Sequence, residues 1–251
     1  MSVNKIYIPL LIILAGCGTA QKSDQEIFSE QQREVLDPVK DVELELEIPE
    51  LEKQLIAQGL VDVAEVIPGI LVDLKYSTTD NFFGQDVYGE LTKAYLQPEV
   101  AERLLKAQKM LKKEYPNYTL LVYDGVRPAS VQQILWDNLD KPDSLKPLYV
   151  ADPKVGSLHN FGVAVDLTIF DMQADSTLDM GTGYDYFGYP AYPDREDQML
   201  AEGKLNPAQI DNRELLRKVM TSNGFAGIGS EWWHFNAFSR KEAGEKFKIV
   251  K

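Results

Sequence analysis

The sequence predicts an α+β fold, a single domain in which a mainly antiparallel sheet is flanked by helices. Short segments with strand-like alternation or β-branched residues are mixed with segments whose apolar residues recur at helical spacing. These segments do not follow the regular strand–helix–strand repeat that is typical of a parallel sheet. About 200 residues remain once a leader and a polar tether are set aside, and that length suits one domain with a sizeable core.

The first half of the predicted domain contains two strands, a loop and a helix. In chain order these are a half-buried strand at 70–76, an ordered polar loop at 77–89, a helix from Pro98 to about Pro116 and a buried strand at 118–123. Alternation of apolar and polar residues predicts the first strand. The helix is predicted because proline suits the first helical position and because Val100, Leu104 and Leu111 follow at helical spacing.

The second half repeats this mixture of elements. It contains a helix at about 129–138, a strand at 163–169, a helix at 213–222 and a strand at 231–236. β-Branched residues favour the strand at 163–169. Asn223-Gly224 is typical of a helix end. The last strand is predicted because an aromatic segment follows glycines, which indicates a tight turn before it.

The N-terminus predicts export and a lipid anchor. An apolar run at 6–14 is too short to span a bilayer as a helix, which needs about 20 apolar residues. It ends in Leu14-Ala15-Gly16-Cys17, which resembles the bacterial lipobox, where the cysteine becomes lipidated. Residues 1–17 are therefore predicted to be a lipoprotein signal peptide ending at lipidated Cys17. An ordinary signal peptide with an accidental cysteine is the alternative.

The predicted tether separates this leader from the folded domain. Residues 18–50 are rich in Gln, Ser, Asp and Glu, and such a composition favours a flexible acidic segment. Within it, residues 42–48 alternate strictly and could pair as an edge strand. The folded domain is assigned to residues 51–251.

Composition excludes several classes of function. The formal net charge of −13 argues against nucleic acid as a partner. Cys17 is the only cysteine, so neither an intramolecular disulfide nor a cysteine-based zinc site is possible. The chain contains two histidines, and a bound transition metal would be expected to use both.

Both histidines lie in short polar motifs that suggest a metal site. His159 is followed at a short distance by Asp166, and His234 is preceded by Glu231. Two histidines and one carboxylate leave a fourth position for water, as in catalytic zinc sites, and Glu231 could accept a proton from that water. Taken singly, His159 could be a surface loop residue, His234 a core histidine and Asp166 a strand-end carboxylate, but their combination favours the metal site.

Strand parity constrains how these residues meet. His159 and Asp166 are an odd number of positions apart, so one unbroken strand would direct them to opposite faces. We expect a turn at Gly162, with His159 in a loop and Asp166 on the strand. The same argument places Glu231 in a turn or at a bulge before His234.

The motif pattern resembles a known family. The pattern S-x-H-x-x-G-x-A-x-D followed by E-x-W-H looks like the zinc D-Ala-D-Ala peptidases, which are related to the D,D-carboxypeptidases and the Hedgehog domain. The finer resemblance is to the D-alanyl-D-alanine dipeptidases (the VanX-like group). Three further segments in the same order support it: Asp73–Tyr76 with Asp80–Phe82, Asp124–Pro128 and Met180–Asp185.

The resemblance implies roles for individual residues. The implied ligands of one zinc ion per chain are His159, Asp166 and His234, and the implied general base is Glu231. Arg127 matches an arginine that stabilises the oxyanion of the tetrahedral intermediate, and a structural salt bridge near Pro128 is the alternative. Asp185 matches a carboxylate that holds the substrate's free ammonium group, and Ser157 matches a substrate-contacting serine; a turn role is the alternative for each of these two.

The expected function is zinc-dependent hydrolysis of D-Ala-D-Ala or a similar free dipeptide. The best-known VanX-like enzymes act in the cytoplasm, whereas the leader predicts a bacterial cell-envelope protein, lipid-anchored and facing the periplasm or exterior. Turnover of peptides released from the cell wall is therefore expected. The alternatives are a D,D-carboxypeptidase or endopeptidase that acts on peptidoglycan stem peptides, and a non-catalytic zinc-containing binding module.

Overall fold

The computed structural model of the chain describes residues 48–251. The predicted signal peptide, Cys17, nearly all of the predicted tether and all but the last residue of the alternating segment 42–48 lie outside the described residues. Within the described range, no helix combines the length and apolar character needed to cross a membrane.

The described residues form seven α-helices and eight strands. The helices are α1 Glu50–Ala57, α2 Val63–Val66, α3 Pro98–Glu114, α4 Ala129–Asn138, α5 Glu196–Ala201, α6 Pro207–Thr221 and α7 Arg240–Lys246. The strands are β1 Val61–Asp62, β2 Leu71–Val72, β3 Tyr95–Leu96, β4 Tyr118–Asp124, β5 Ala164–Asp171, β6 Ser176–Thr177, β7 Ala226–Gly227 and β8 His234–Asn236.

The main sheet has the strand order β2-β4-β5-β8-β7, and β6 pairs with the end of β5. The β2–β4 pair is parallel, and the other pairs in this sheet are antiparallel. Strands β1 and β3 form a separate antiparallel pair. The prediction of an α+β fold with a mainly antiparallel sheet is confirmed.

Helix α3 covers one face of the sheet and defines the core. Pro98 occupies the first turn of α3, and the helix packs against β4 and α6. From β5, the side chains of Val165, Leu167 and Ile169 enter this core. Because successive strand residues point to opposite faces, Asp166 lies on the other face of the sheet, away from α3.

Three predicted elements differ in extent from those observed. The strand predicted at 70–76 is reduced to β2, because the chain turns into a short 3₁₀ helix at Lys75–Ser77. The helix predicted at 213–222 begins earlier, at Pro207, where Asn206 and Gln209 form a reciprocal capping pair.

The strand predicted at 231–236 begins only at His234. The rings of Trp232 and Trp233 are both buried, 5.3 Å apart and nearly perpendicular. Adjacent residues of an extended strand point to opposite faces, so a contact between their rings requires a non-extended backbone. Glu231 therefore lies in the loop that precedes β8.

Candidate active site

Strand register places two of the candidate metal ligands side by side. Asp166 on β5 is directly opposite His234 on β8, and on its other side it is opposite Asp124 on β4. Directly paired residues share a face, so these three side chains form a row across the sheet. The row lies on the face opposite α3.

His159 reaches this row from a 3₁₀ turn at Leu158–Phe161. Gly162 ends the turn with φ of +67°, a conformation that favours glycine, and β5 begins shortly afterwards. His159 therefore lies before the strand and Asp166 lies on it, as strand parity predicts. Both side chains are almost fully buried.

The three ligand atoms converge on one point. His159 Nε2 is 3.2 Å from His234 Nδ1 and 3.3 Å from Asp166 Oδ1, and His234 Nδ1 is 2.9 Å from Asp166 Oδ1. A tetrahedral zinc ion with bonds of about 2.1 Å separates its ligand atoms by about 3.4 Å. The spacing and the two-imidazole, one-carboxylate donor set therefore suit a divalent transition metal such as zinc.

Hydrogen bonds on the far side of each ring fix which histidine nitrogen faces this point. His159 Nδ1 is 2.7 Å from the carbonyl oxygen of Gly125, so it donates and leaves Nε2 free to bind a metal. His234 Nε2 is 2.9 Å from Asn236 Oδ1, which leaves Nδ1 for the metal. Such outer partners orient the ring and increase its basicity as a ligand.

Asp166 is held as a carboxylate. Burial acts to raise its pKa, but the neighbouring His159 and His234 lower the pKa well below the usual range for aspartate. Its second oxygen, Oδ2, accepts a hydrogen bond of 3.0 Å from the hydroxyl of Tyr184. Oδ1 is thereby left to face the two imidazoles.

We expect Tyr184→Phe to weaken metal binding by about 10- to 100-fold, because loss of an outer-shell partner typically has an effect of that size. The substitution removes only the hydroxyl that holds Asp166 Oδ2 and retains the ring that contacts Trp233. Competition with a chromophoric chelator measures the change. Tyr189→Phe, at an exposed tyrosine, is the matched control, and equal affinities of the two variants would contradict the role of Tyr184.

Arg127 is oriented by a buried carboxylate. Its Nε and Nη2 atoms lie 3.1 and 2.6 Å from Asp124 Oδ2, and Nη1 lies 3.2 Å from Gln132 Oε1. Burial opposes its charge, but Asp124 raises the pKa of Arg127 well above its ordinary value. The guanidinium remains charged, and Nη2 lies 3.9 Å from Asp166 Oδ2, beside the candidate metal ligands.

Glu231 lies beside the three ligand atoms and outside their set. Its Oε2 is 3.8 Å from His234 Nδ1, and 26% of its side chain is exposed. Burial is the main cause that raises the pKa of Glu231 above its ordinary value, and the negative charge of Asp166 adds to it. A carboxylate so placed can take a proton from water that binds next to the ligand atoms.

Asp185 lies at the middle of the loop at 180–190 and has φ of +57°, which is uncommon for a residue with a side chain. Its carboxylate accepts hydrogen bonds from the Tyr76 hydroxyl at 3.3 Å and from the Phe82 backbone nitrogen at 3.4 Å. Burial raises the pKa of Asp185 well above the usual range, and the charge of Asp166 acts in the same direction. A cation that bound here would stabilise the ionised form.

Ser157 has a clear local role. Its hydroxyl accepts a hydrogen bond of 3.3 Å from the backbone nitrogen of His159, and Asn160 Oδ1 accepts one of 2.6 Å from the Ser157 nitrogen. This reciprocal pair begins the turn that carries His159. Ser157 also lines the pocket over the candidate metal ligands.

A pocket of about 260 Å³ brings the remaining groups together. Its charged lining consists of three carboxylates and two arginines, namely Asp166, Asp185, Glu231, Arg127 and Arg240. The guanidinium of Arg240 is bonded to the carbonyl oxygens of Val155 and Gly156, at 2.9 and 2.8 Å. With Asp124 buried behind the wall, four carboxyl groups face two arginines, and a bound divalent metal or cationic ligand group would favour their ionised forms.

Among the residues of this site to which sequence reasoning assigned no role, Asp124 and Tyr184 make the most direct contacts with the candidate catalytic and metal-binding residues. Asp124 and Tyr184 fall within motifs quoted for the family resemblance, but their partners become visible only in three dimensions. For Asp124, the sequence signal was its position three residues before Arg127, which places a carboxylate close to that guanidinium. No local signal identified the contact between Tyr184 and Asp166.

The sequence of the chain is similar to those of known dipeptidases. A family model described as D-Ala-D-Ala dipeptidase matches residues 56–248. The D-alanyl-D-alanine dipeptidase of Escherichia coli (strain K12) is 36% identical over 176 residues, which cover 70% of this chain and 83% of that protein. The enzyme of the same name from Enterococcus faecium is 31% identical over 195 residues, with coverage of 70% and 90%.

Among solved structures, the LD-carboxypeptidase LdcB matches 74% of this chain and 71% of its own, at 18% identity and a TM-score of 0.42. The family model spans most of the chain and includes every residue of the candidate site. The chain therefore belongs to the D-Ala-D-Ala dipeptidase family of zinc metallopeptidases.

Proposed function

We propose that this chain is an exported zinc dipeptidase that hydrolyses D-Ala-D-Ala or a similar free dipeptide. The observation that supports it most directly is the placement of three kinds of group in one pocket. These are the three metal-ligand residues, the Glu231 carboxylate with the Arg127 guanidinium beside them, and the Asp185 carboxylate on the loop at 180–190. The pocket volume of about 260 Å³ is small for a ligand site and suits a dipeptide.

One zinc ion per chain would be held by His159 Nε2, Asp166 Oδ1 and His234 Nδ1. When bound, it supplies Lewis-acid polarisation of the scissile carbonyl and makes a neighbouring water more acidic. Glu231 accepts a proton from that water as its oxygen adds to the carbonyl carbon. Glu231 then returns the proton to the departing nitrogen, so the C–N bond breaks and one water is consumed.

Arg127 acts on the charge that develops during this addition. Its Nη1 and Nη2 atoms each have a hydrogen that the bonds to Gln132 and Asp124 do not use, and the guanidinium lines the pocket. A fixed cation that donates to the developing oxyanion stabilises the transition state more than the ground state. Asp124 prevents the guanidinium from rotating away.

Asp185 selects substrates with a free amino group. Its carboxylate faces the pocket and lacks a charged partner among its hydrogen bonds with described residues, which come from a hydroxyl and a backbone nitrogen. An ammonium group supplies that missing charge. A substrate whose amino group is acylated cannot do so, and this disfavours intact stem peptides.

A panel of substrates tests this function. Amine release is measured with D-Ala-D-Ala, L-Ala-D-Ala, L-Ala-L-Ala and N-acetyl-D-Ala-D-Ala, each with and without a chelator. We expect chelator-sensitive cleavage of free dipeptides and loss of activity on the acetylated substrate. Efficient cleavage of the acetylated dipeptide would favour a D,D-carboxypeptidase, and inactivity of zinc-loaded protein on every substrate would favour a binding module.

The proposed location is the bacterial cell envelope, with the domain lipid-anchored through Cys17 and facing the periplasm or exterior. The lipobox-like sequence before Cys17 supports it. In that location the substrates would be peptides released from peptidoglycan. We expect Cys17→Ser to move the protein from the membrane fraction to the soluble fraction of expressing cells, and unchanged membrane association would contradict the anchor.

A further inference from the structure

The loop that carries Asp185 is held at both ends by one buried arginine. This segment, residues 180–190, is called the Asp185 loop here. Arg213 on α6 donates from Nε to the carbonyl oxygen of Met180 at 2.7 Å and from Nη2 to that of Pro190 at 2.7 Å. Its side chain is only 1% exposed, and its third nitrogen lies 3.5 Å from Glu196 Oε1.

The same helix fixes the start of the Asp185 loop through further bonds. Asn212 Nδ2 donates to the backbone oxygen of Asp179 at 2.8 Å, and Gln209 Nε2 donates to its carboxylate at 2.9 Å. Gly181 follows with φ of +81°, and a Cβ there would overlap the side chain of Leu205. These bonds fix the start of the loop against α6.

The Asp185 carboxylate is itself weakly held, although its neighbour Tyr184 is fixed by the 3.0 Å bond to Asp166. The two bonds to the Asp185 carboxylate, at 3.3 and 3.4 Å, are long for hydrogen bonds and correspondingly weak. The position of this carboxylate over the pocket therefore depends on the backbone on either side of it, which is fixed by Tyr184 and by the ends of the loop. Because Met180 and Pro190 are bonded to the same guanidinium, any shift of Arg213 moves both ends together.

Lysine could not replace this arginine. A guanidinium is a planar fork with donors on several nitrogens, and it can bond two carbonyls and a carboxylate at once. An ammonium group at the end of a flexible chain is a single point charge and would satisfy one of these carbonyls at the expense of the other.

We infer that Arg213 is a positioning residue for substrate selection, which holds the Asp185 loop so that Asp185 meets the ammonium group of a free dipeptide. The inference rests on the proposed function, and specifically on the proposed role of Asp185. Arg213 does not line the pocket over the metal ligands. Its effect on catalysis would therefore pass through the loop.

Kinetics of the full-length, zinc-loaded protein test this inference. The variants are Arg213→Lys and Asn212→Ala, with Asp185→Asn as the reference for loss of the ammonium contact. We expect Arg213→Lys to raise the KM for D-Ala-D-Ala by about 10- to 100-fold, the scale for displacement of a positioned group by about 1 Å. The kcat should change much less, because Glu231 and Arg127 do not lie on this loop. Zinc content is measured in parallel, because Tyr184 of the same loop is bonded to the metal ligand Asp166, and loss of zinc in Arg213→Lys would overturn the inference.

N-acetyl-D-Ala-D-Ala provides a readout that a purely structural role would not give. It is measured as a competitive inhibitor, because it cannot use Asp185. We expect its inhibition constant to be the same in the wild type and in Arg213→Lys, so that the preference for the free amino group falls. Arg217→Lys is the matched control, since Arg217 lies one turn along α6 and its bonds go to Glu196, at 2.7 Å to each oxygen.

The outcomes separate this inference from the proposed function. A wild-type protein that does not cleave free dipeptides defeats the proposed function itself. If the wild type is active and Asp185→Asn raises KM while Arg213→Lys does not, the inference is overturned. It is also overturned if Arg213→Lys weakens free and acetylated dipeptides equally. Should Arg213→Lys fail to fold, Asn212→Ala decides, with a severalfold rise in KM for the free dipeptide alone expected.

Discussion

Glu231→Gln is expected to lower kcat by about 10²- to 10⁴-fold, the range attributed to general acid–base catalysis. Glutamine retains the size and hydrogen-bonding capacity of the side chain, but its amide cannot accept the proton of the attacking water. The substitution should leave the metal in place, because the ligand atoms belong to His159, Asp166 and His234 and not to Glu231. Steady-state kinetics on D-Ala-D-Ala and metal analysis after dialysis measure the two quantities.

Two comparisons make the result for Glu231 specific. Glu231→Ala should behave in the same way, with zinc retained and nearly all turnover lost. Glu245→Gln, at an exposed carboxylate on α7, should leave kcat unchanged. A Glu231 variant that kept its zinc and substantial activity would show that another group accepts the proton.

Arg127→Lys is expected to lower kcat by about 10²- to 10³-fold, the usual effect of removing one donor to a developing oxyanion. The positive charge is retained, but an ammonium cannot make the two bonds to Asp124 Oδ2 while it also reaches the substrate. Substrate affinity should change less than kcat, since this contact strengthens in the transition state.

Arg240 provides a control for the substitution at Arg127. Arg240 also lines the pocket, and its guanidinium is bonded to two backbone carbonyls. Arg240→Lys should therefore have a small effect on kcat. Both variants keep the positive charge, so equal losses would contradict a specific role for the placement of the Arg127 guanidinium.

The fold was predictable where an element carries its own pattern. Helix α3 has a proline at its start and a regular apolar face, and its observed bounds agree with the prediction. Strands β1, β3, β6 and β7 have two residues each, which is too short for any periodicity to be visible. Helix α7 was missed although Ser239 and Glu242 form a capping pair that the sequence displays, because the helix has only seven residues and one buried side chain.

Most of the candidate site residues could be identified from the sequence, but many of the contacts between them could not. The scarcity of histidine drew attention to His159 and His234, and strand parity placed the turn at Gly162. The contact of Tyr184 with Asp166 and the contacts of Arg213 with Met180 and Pro190 depend on tertiary packing between distant segments. No local pattern encodes such contacts, so they could only be found in the folded chain.

The row formed by Asp124, Asp166 and His234 has a consequence for how the protein folds. Its members come from three strands, and a shift of any one strand by a single residue would turn its side chain to the opposite face of the sheet. His234 lies on the short strand β8 and must pair with Asp166 on β5, which lies 68 positions earlier in the chain. Pairing over such distances is slow, because loop closure costs entropy before the contacts form. Metal that binds only the correctly paired sheet would draw the population of chains towards that register, so zinc supplied during refolding should increase the yield of native protein.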